Sequence, residues 1–206
     1  MKYFIKFLFL FYGLVAFGQN QTYTFAAFGS YKRNDNVLLQ SFVNRENFDY
    51  FIFVKKNDSN KMIGLLYDFK NKYVHHLDIV EKDSVFSFLY KHSHKLNNYT
   101  KPEKFVTVEK NYSKLSIKEF QNKKRKKVIY EVNAVVENSD INNFRIFQVC
   151  CLHPNEMNKN FNYSNENITV INAEIKSYTN NVSIYKLQSV KNVDLKIEIS
   201  QINLKR

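Results

Sequence analysis

The stretch that decides the fold runs from residue 49 to residue 96 and consists of four short apolar runs. They read DYFIFVKK (49–56), KMIGLLYDF (61–69), KYVHHLDIV (72–80) and SVFSFLYKHSHKL (84–96). Each run is rich in aromatic and β-branched residues, and short polar breaks separate one run from the next. Such a pattern is typical of consecutive antiparallel strands. The stretch therefore predicts a β-meander to which the rest of the chain adds.

Further strand-like runs lie on both sides of this meander. Residues 23–28 predict a first strand, and residues 37–43 predict either a strand or a short helix, because so short a run has no clear periodicity. After the meander, strands are predicted at 105–109, 115–120, 128–137, 144–152, 168–178, 182–190 and 195–199, and a loop at 155–167. No amphipathic helix is predicted. About a dozen short strands indicate an all-β fold, with an antiparallel meander forming a curved sheet, a half-barrel or a sandwich.

The N-terminus has the features of an export signal. Lys2 and Lys6 precede an apolar run at 7–17, and small residues at Ala16 and Gly18 suit cleavage before Gln19. The run is shorter than the roughly 20 residues of a permanent membrane span. We therefore expect a cleaved signal peptide at 1–18, then a single all-β domain at 19–206. The expected location is periplasmic, outer-surface or secreted, with no membrane span after cleavage.

The chain is strongly basic, with a formal net charge of +12. Loss of Lys2 and Lys6 leaves 12 − 2 = +10 over residues 19–206. This charge would attract lipid headgroups or another anionic envelope component, and nucleic acid is not expected as a partner of an exported protein. The alternative is a generally basic, solvated surface. The densest charge is predicted at the tip of a β-hairpin, where it either stays solvated or docks on an anionic surface: Lys123, Lys124, Arg125, Lys126 and Lys127.

Histidines give the chain its one hint of metal chemistry. His92 and His94 are two residues apart on a predicted strand, so both imidazoles lie on one face, at a spacing compatible with one metal ion. The pair at 75–76 lies on the preceding strand, where a hairpin could bring one ring within reach. The candidate ligands are His92, His94 and His75, with Asp78 or His153 completing the set. The alternative is a group of surface histidines without a metal.

Cys150 and Cys151 are the only cysteines. Neighbours on a regular strand point to opposite faces, so a disulfide between them would need a distorted turn. Two free thiols are unusual in an exported protein, and the pair is therefore a candidate disulfide. The preferred interpretation is one buried thiol and one outward thiol. No Cys-x-x-Cys spacing supports a redox role.

Several common mechanisms lack their sequence requirements. Only Gly29 and Gly64 follow the predicted signal, so neither a phosphate-binding loop nor a Gly-x-Ser-x-Gly elbow is present. No cofactor is predicted. The meander, with its turn at Leu66-Tyr67-Asp68-Phe69, resembles the curved-sheet carriers that shuttle lipoproteins or lipids across the periplasm. The resemblance covers the meander alone and carries over no site residue.

The expected function is binding rather than catalysis. Aromatic residues make up 16% of the chain and would either line a cavity or fill a core. We therefore expect an exported soluble β-protein of the cell envelope that binds or carries an apolar or anionic ligand. The alternatives are a metal-assisted hydrolase that uses the histidine cluster, and a surface adhesion or structural protein.

Overall fold

The described part of the chain folds around one antiparallel sheet. A computed structural model of the protein describes residues 20–56, 61–83, 85–96, 105–152, 166–177 and 181–200. One helix, α1 (Phe144–Cys151), lies in sequence between the ninth and tenth strands. The strands are β1 (Asn20–Arg33), β2 (Leu38–Val43), β3 (Tyr50–Lys56), β4 (Met62–Asp68), β5 (Tyr73–Lys82), β6 (Val85–Lys95), β7 (Phe105–Asn111), β8 (Lys114–Phe120), β9 (Val128–Asn138), β10 (Ile168–Ser177) and β11 (Val182–Ser200).

The sheet consists of two meanders joined by the first and last strands. Its strand order is β6-β5-β4-β3-β2-β1-β11-β10-β9-β8-β7. β1 pairs with β11 from Asn20 opposite Ser200 to Arg33 opposite Tyr185. The sheet does not close into a barrel, and β6 and β7 form its two edges. The predicted all-β fold, with an antiparallel meander and little helix, is confirmed.

The β1–β6 half curls over, so that strands far apart in the sheet touch. The rings of Phe28 on β1 and Phe86 on β6 are 5.4 Å apart, although four strands separate β1 from β6. Phe42 on β2 contacts the same ring at 5.3 Å. The hydroxyl of Tyr23 on β1 reaches His75 on β5. Aromatic side chains therefore pack against one another inside the curl and fill it.

The opposite face of the sheet is covered at its centre by α1. The helix packs against β1, β2, β3 and β10. Its approach is close because Gly29 on β1 has no side chain, and a Cβ at this position would lie 2.2 Å from Cγ2 of Ile146. Tyr31, which is fully buried beside the helix, donates a hydrogen bond from its hydroxyl to the carbonyl of Val170 at 2.6 Å. The sheet thus carries a hydrophobic core on each face.

The strand predicted at 144–152 is wrong, because this segment forms α1. Its sequence, FRIFQVCC, is a short apolar run that periodicity alone does not assign to a strand or a helix. All of its residues except Arg145 are buried. Burial of this segment against the sheet therefore outweighs the strand preference of its aromatic and β-branched residues. The side-chain oxygen of Asn142 accepts a hydrogen bond from the Phe144 amide at the start of the helix.

Other predicted boundaries differ in smaller ways. Residues 37–43 contribute a strand, β2, and the two runs at 182–190 and 195–199 belong to the single long strand β11. The predicted signal peptide at 1–18 and most of the loop at 155–167 lie outside the described residues. Among the residues that the structure describes, no helix is both long and apolar enough to cross a bilayer.

The contact between Gly29 and Ile146 gives a prediction about stability. Gly29→Ala should lower the free energy of unfolding by about 1–3 kcal/mol, because the new methyl group overpacks the interface between β1 and α1. Urea denaturation followed by circular dichroism measures this loss.

The matched control removes the side chain that the new methyl would meet. Gly29→Ala combined with Ile146→Ala should lose less stability than the sum of the two single variants. Strictly additive losses would show that the two positions do not meet.

Candidate functional site

The polar residues that the sequence singled out on β5 and β6 lie on two faces of one hairpin. His76 is opposite His92 and Leu77 is opposite Tyr90, so Lys91 is an extra residue on β6. A β-bulge of this kind reverses the side-chain alternation beyond it. Before Lys91, the side chain of Tyr90 points into the curl. After it, Ser93 points into the curl instead, while the flanking histidines point outward.

Three histidine rings meet on the outer face of this hairpin. They are His76, His92 and His94, and their candidate ligand nitrogens all lie within 4.8 Å of one another. Nε2 of His76 is 3.2 Å from Nδ1 of His94, and the rings of His76 and His92 stack with their centroids 4.2 Å apart. Two nitrogens bound to one tetrahedral zinc ion are about 3.4 Å apart. The three nitrogens are thus close enough for one ion, and the stacked rings of His76 and His92 would have to rotate for both lone pairs to face it.

The charge environment favours the form of His76 that binds metals. Burial lowers the pKa of His76, and His92, His94 and Lys55 lower it further through charge repulsion. The ring therefore stays neutral over a wider pH range, and a neutral imidazole is the form that donates a lone pair to a metal ion. His92 and His94 are exposed, which leaves the cluster open to solvent.

The structure changes one member of the predicted ligand set. His92 and His94 lie together as predicted, but the ring that joins them is His76 and not His75. His75 is fully buried on the opposite face of β5, because successive side chains of a strand alternate. Asp78 forms an ion pair with Lys91 at 3.1 Å. His153 lies outside the described residues.

His75 instead belongs to a chain of hydrogen bonds inside the curl. Its Nδ1 is 2.6 Å from Oγ of Ser93, and its Nε2 is 3.0 Å from the hydroxyl of Tyr23. Tyr23 donates to Oδ2 of Asp68 at 2.7 Å, and the hydroxyl of Tyr90 is 2.9 Å from Oγ of Ser93. Tyr23, Asp68 and His75 are almost completely buried, whereas Ser93 is half-buried.

The donor and the acceptor of each hydrogen bond follow from which groups carry a proton. Burial and the neighbouring Asp68 raise the pKa of Tyr23 well above its usual value, so its hydroxyl keeps the proton that it donates to Asp68. The Tyr23 oxygen must then accept from Nε2–H of His75. Burial lowers the pKa of His75 to about 4, despite the opposing effect of Asp68, so the ring is neutral. Its bare Nδ1 therefore accepts the proton of the Ser93 hydroxyl.

The carboxylate at the end of this chain is held by further donors. Gln21 Nε2 and Asn71 Nδ2 each donate to Oδ2 of Asp68 at 2.8 Å, and the Asn71 amide donates to Oδ1 at 2.9 Å. Together with Tyr23, these donors fix the carboxyl group of Asp68 at the buried end of the chain.

The cysteine pair is free, and both thiols are buried. The predicted outward thiol is wrong, because α1 is covered on nearly all sides and both residues lie in its last turn. Burial raises the pKa of Cys150 to about 12, although a hydrogen bond with Ser41 opposes this, and burial also raises the pKa of Cys151. Both groups are thiols at neutral pH, which makes them poor nucleophiles and poor metal ligands.

The cationic run lies at the hairpin tip that the sequence predicted, between β8 and β9. The tip is closed by a hydrogen bond from the Gln121 amide to the Lys127 carbonyl at 2.9 Å. Arg125 has a φ of 54°, which is typical of a tight turn. All five basic residues from 123 to 127 are exposed, and none forms an ion pair with another described residue.

An open groove lies on the other half of the sheet. It has a volume of about 610 Å³ and runs across β7, β8, β9 and β10. Its lining combines charged groups such as Lys114 and Glu174 with apolar ones such as Leu115 and Ala134. Neither the histidines nor the cationic hairpin tip contributes to it. The groove is therefore separate from both predicted sites.

Comparison with known proteins does not assign the chain to a family. No protein-family model matches the sequence, and no curated protein matches it either. The site is therefore interpreted from its own geometry. Sequence reasoning named His75 and not His76 as the third histidine of the cluster, and it missed the chain that links Ser93, His75, Tyr23 and Asp68. One signal for the first was available: two adjacent histidines on a strand face opposite sides, so either could have joined the pair at 92 and 94.

The lowered pKa of His75 predicts how stability depends on pH. The unfolded chain takes up a proton at this ring near pH 6.5, while the folded protein does so only near pH 4. The contribution of His75 is therefore complete above about pH 6.5 and is lost as the pH falls towards 4. We expect a loss of about 3 kcal/mol from this residue between pH 7 and pH 4. Urea denaturation across this range, with EDTA present, measures it.

Two variants separate this effect from the titration of other groups. His75→Gln should have a flatter pH profile by that amount, whereas the exposed His94→Gln should retain the steeper profile of the unmodified protein. Equal slopes for the unmodified protein and His75→Gln would show that the ring does not stay neutral in the fold.

Proposed function

We propose that the protein binds a transition-metal ion, zinc in the first place, through His76, His92 and His94. The observation that supports the proposal is the convergence of three imidazoles on one exposed face. Neutral imidazoles suit zinc, which takes nitrogen ligands about 2.0–2.1 Å away in tetrahedral geometry. The hairpin supports the cluster, because β5 and β6 hold the three rings at adjacent positions.

Among the described residues the cluster offers three ligands, which would leave a fourth position for water or a ligand in solution. A set of three histidines with an open position is the arrangement of catalytic zinc sites, whereas structural sites use four protein ligands. Zinc held by these three histidines would act as a Lewis acid and would lower the pKa of a bound water to about 7. The site therefore supports metal-assisted hydrolysis as well as simple metal binding.

The place of action that we propose is the cell envelope. The basis is the basic, then apolar, then small-residue pattern of residues 1–18, which is that of an export signal. An exported metal-binding protein would meet zinc outside the cytoplasm. Its own two thiols are buried and would not compete for the ion. Detection of the mature chain starting at Gln19 in an envelope fraction would support this location.

Zinc titration of the purified protein tests the proposed function. Isothermal titration calorimetry after EDTA treatment should show one zinc ion bound per chain. His76→Ala, His92→Ala and His94→Ala should each weaken binding by at least about a hundredfold, because each removes a direct ligand.

A matched control replaces the one histidine that lies outside the hairpin in the sequence. His153→Ala should bind zinc as the unmodified protein does. Equal weakening by His153→Ala, or undiminished binding by His76→Ala, would contradict the proposed ligand set.

A second candidate function is attachment to an anionic envelope surface through the hairpin tip. The observation that favours it is the exposure of five consecutive basic side chains without ion pairs among the described residues. Such a cluster attracts phosphate-bearing lipid headgroups, and the attraction is screened by salt.

Vesicle sedimentation tests this second function. Binding to vesicles that contain phosphatidylglycerol should fall steeply between low and physiological salt, and replacement of residues 123–127 by serine should abolish it. A variant in which Lys32, Lys186 and Lys191 are replaced by serine provides a control with charges removed elsewhere. Equal binding by the tip variant and the unmodified protein would contradict a docking role for the tip.

A further inference from the structure

A second reactive group lies on the inner face of the same hairpin and does not depend on the metal. Ser93 is directly opposite His75 in the register of β5 and β6. Its Oγ is 2.6 Å from Nδ1 of that ring, within the reach required of a nucleophile and its general base. Because Tyr23 occupies the other ring nitrogen, the serine proton points at the nitrogen that would accept it.

The buried end of the chain completes the arrangement. Tyr23 accepts from Nε2–H of His75 and donates to Asp68, so one hydroxyl links the carboxyl group of Asp68 to the imidazole. This third group orients the base and stabilises the imidazolium that would form on proton transfer. Tyr23 and Asp68 are positioning residues, since neither touches the hydroxyl of Ser93.

Ser93 is the least buried residue of the chain that links it to His75, Tyr23 and Asp68. Ser93 is half-buried, and it lies on β6, which is an edge of the described sheet. Acyl transfer at this site requires a substrate to reach Ser93 from the β6 edge, while His75 is fully buried. The hydroxyl of Tyr90 is 2.9 Å from Oγ, so a second hydroxyl lies beside the reacting atom.

The bulge at Lys91 is what brings these groups together. Without the extra residue, regular alternation would place Ser93 on the outer face, away from His75 and Tyr90. Bulges frequently lie next to active sites, where they redirect one side chain. Here the same bulge turns His92 and His94 outward and Ser93 inward.

We propose that Ser93 is a nucleophile, with His75 as its general base, and that it accepts the acyl group of small carboxylic esters. Oγ forms a bond to the carbonyl carbon as its proton passes to Nδ1 of His75. The bond from that carbon to the alcohol oxygen breaks, and the leaving alkoxide takes the proton from His75. A water molecule then releases the acid by the same two proton transfers. The net reaction is ester plus water to acid plus alcohol.

Covalent labelling tests the proposal on the full protein. The metal is removed with EDTA, so that failure of this site is distinguishable from failure of the zinc site. A small alkyl fluorophosphonate should add one phosphonyl group per chain, and peptide mapping by mass spectrometry should locate it on Ser93. p-Nitrophenyl acetate should be hydrolysed, and the phosphonylated protein should lose this activity.

Variants on the same hairpin supply the controls. Ser93→Ala should abolish labelling, and Ser87→Ala, which changes an exposed serine earlier on β6, should leave it unchanged. His75→Gln should slow labelling at Ser93 by at least about a hundredfold, the contribution typical of a general base. Circular dichroism establishes that each variant is folded.

The mapping result on the unmodified protein is decisive even if His75→Gln does not fold. An adduct on Ser93 alone supports the proposal. The absence of any adduct, or scattered labelling of serines and tyrosines, would assign the chain of hydrogen bonds a purely structural role and overturn it.

Discussion

The pairing of the first strand with the last is the constraint on which the rest of the structure depends. β1 pairs antiparallel with β11 along the length of β1. In the sheet, one meander extends from β1 to the edge strand β6, and the other extends from β11 to the edge strand β7. The register shifts between Phe25 and Ala27, so that β1 sends Tyr23 and Phe28 into the curl and Ala27 towards the helix. Both hydrophobic cores therefore share this strand. Because residues 20 and 200 are far apart in sequence, the pairing carries a large loop-closure cost that the two cores must offset.

The candidate chemistry depends on this arrangement through the curl. Tyr23 on β1 reaches His75 on β5 only because the strands between them bend the sheet. One extra residue, Lys91, then divides the polar groups of β6 between two faces. Three imidazoles gather where solvent is available and metal ions can enter. A half-buried serine aligns with a buried imidazole and a buried carboxyl group on the inner face, where hydrogen bonds are stronger.

The parts of the fold that the sequence predicted are those with a strong local signal. Alternating or continuous apolar runs with polar breaks predicted the strands of the meander, and the cationic run between two strands predicted a hairpin tip. The helix at 144–151 was missed because an eight-residue apolar run has the same local pattern in both states, and only burial by the sheet decides between them. His76 and Ser93 were missed for a different reason. The bulge that sets the faces of β6 depends on pairing with β5 and leaves no mark in the order of residues 84–96.

The most direct test of the metal assignment is a crystal structure of the zinc-loaded protein with anomalous data collected on both sides of the zinc absorption edge. We expect one strong anomalous peak on the outer face of β5 and β6, about 2.0–2.1 Å from a ring nitrogen of each of His76, His92 and His94. A peak bound by any other set of residues, or no ordered zinc at this face, would contradict the assignment.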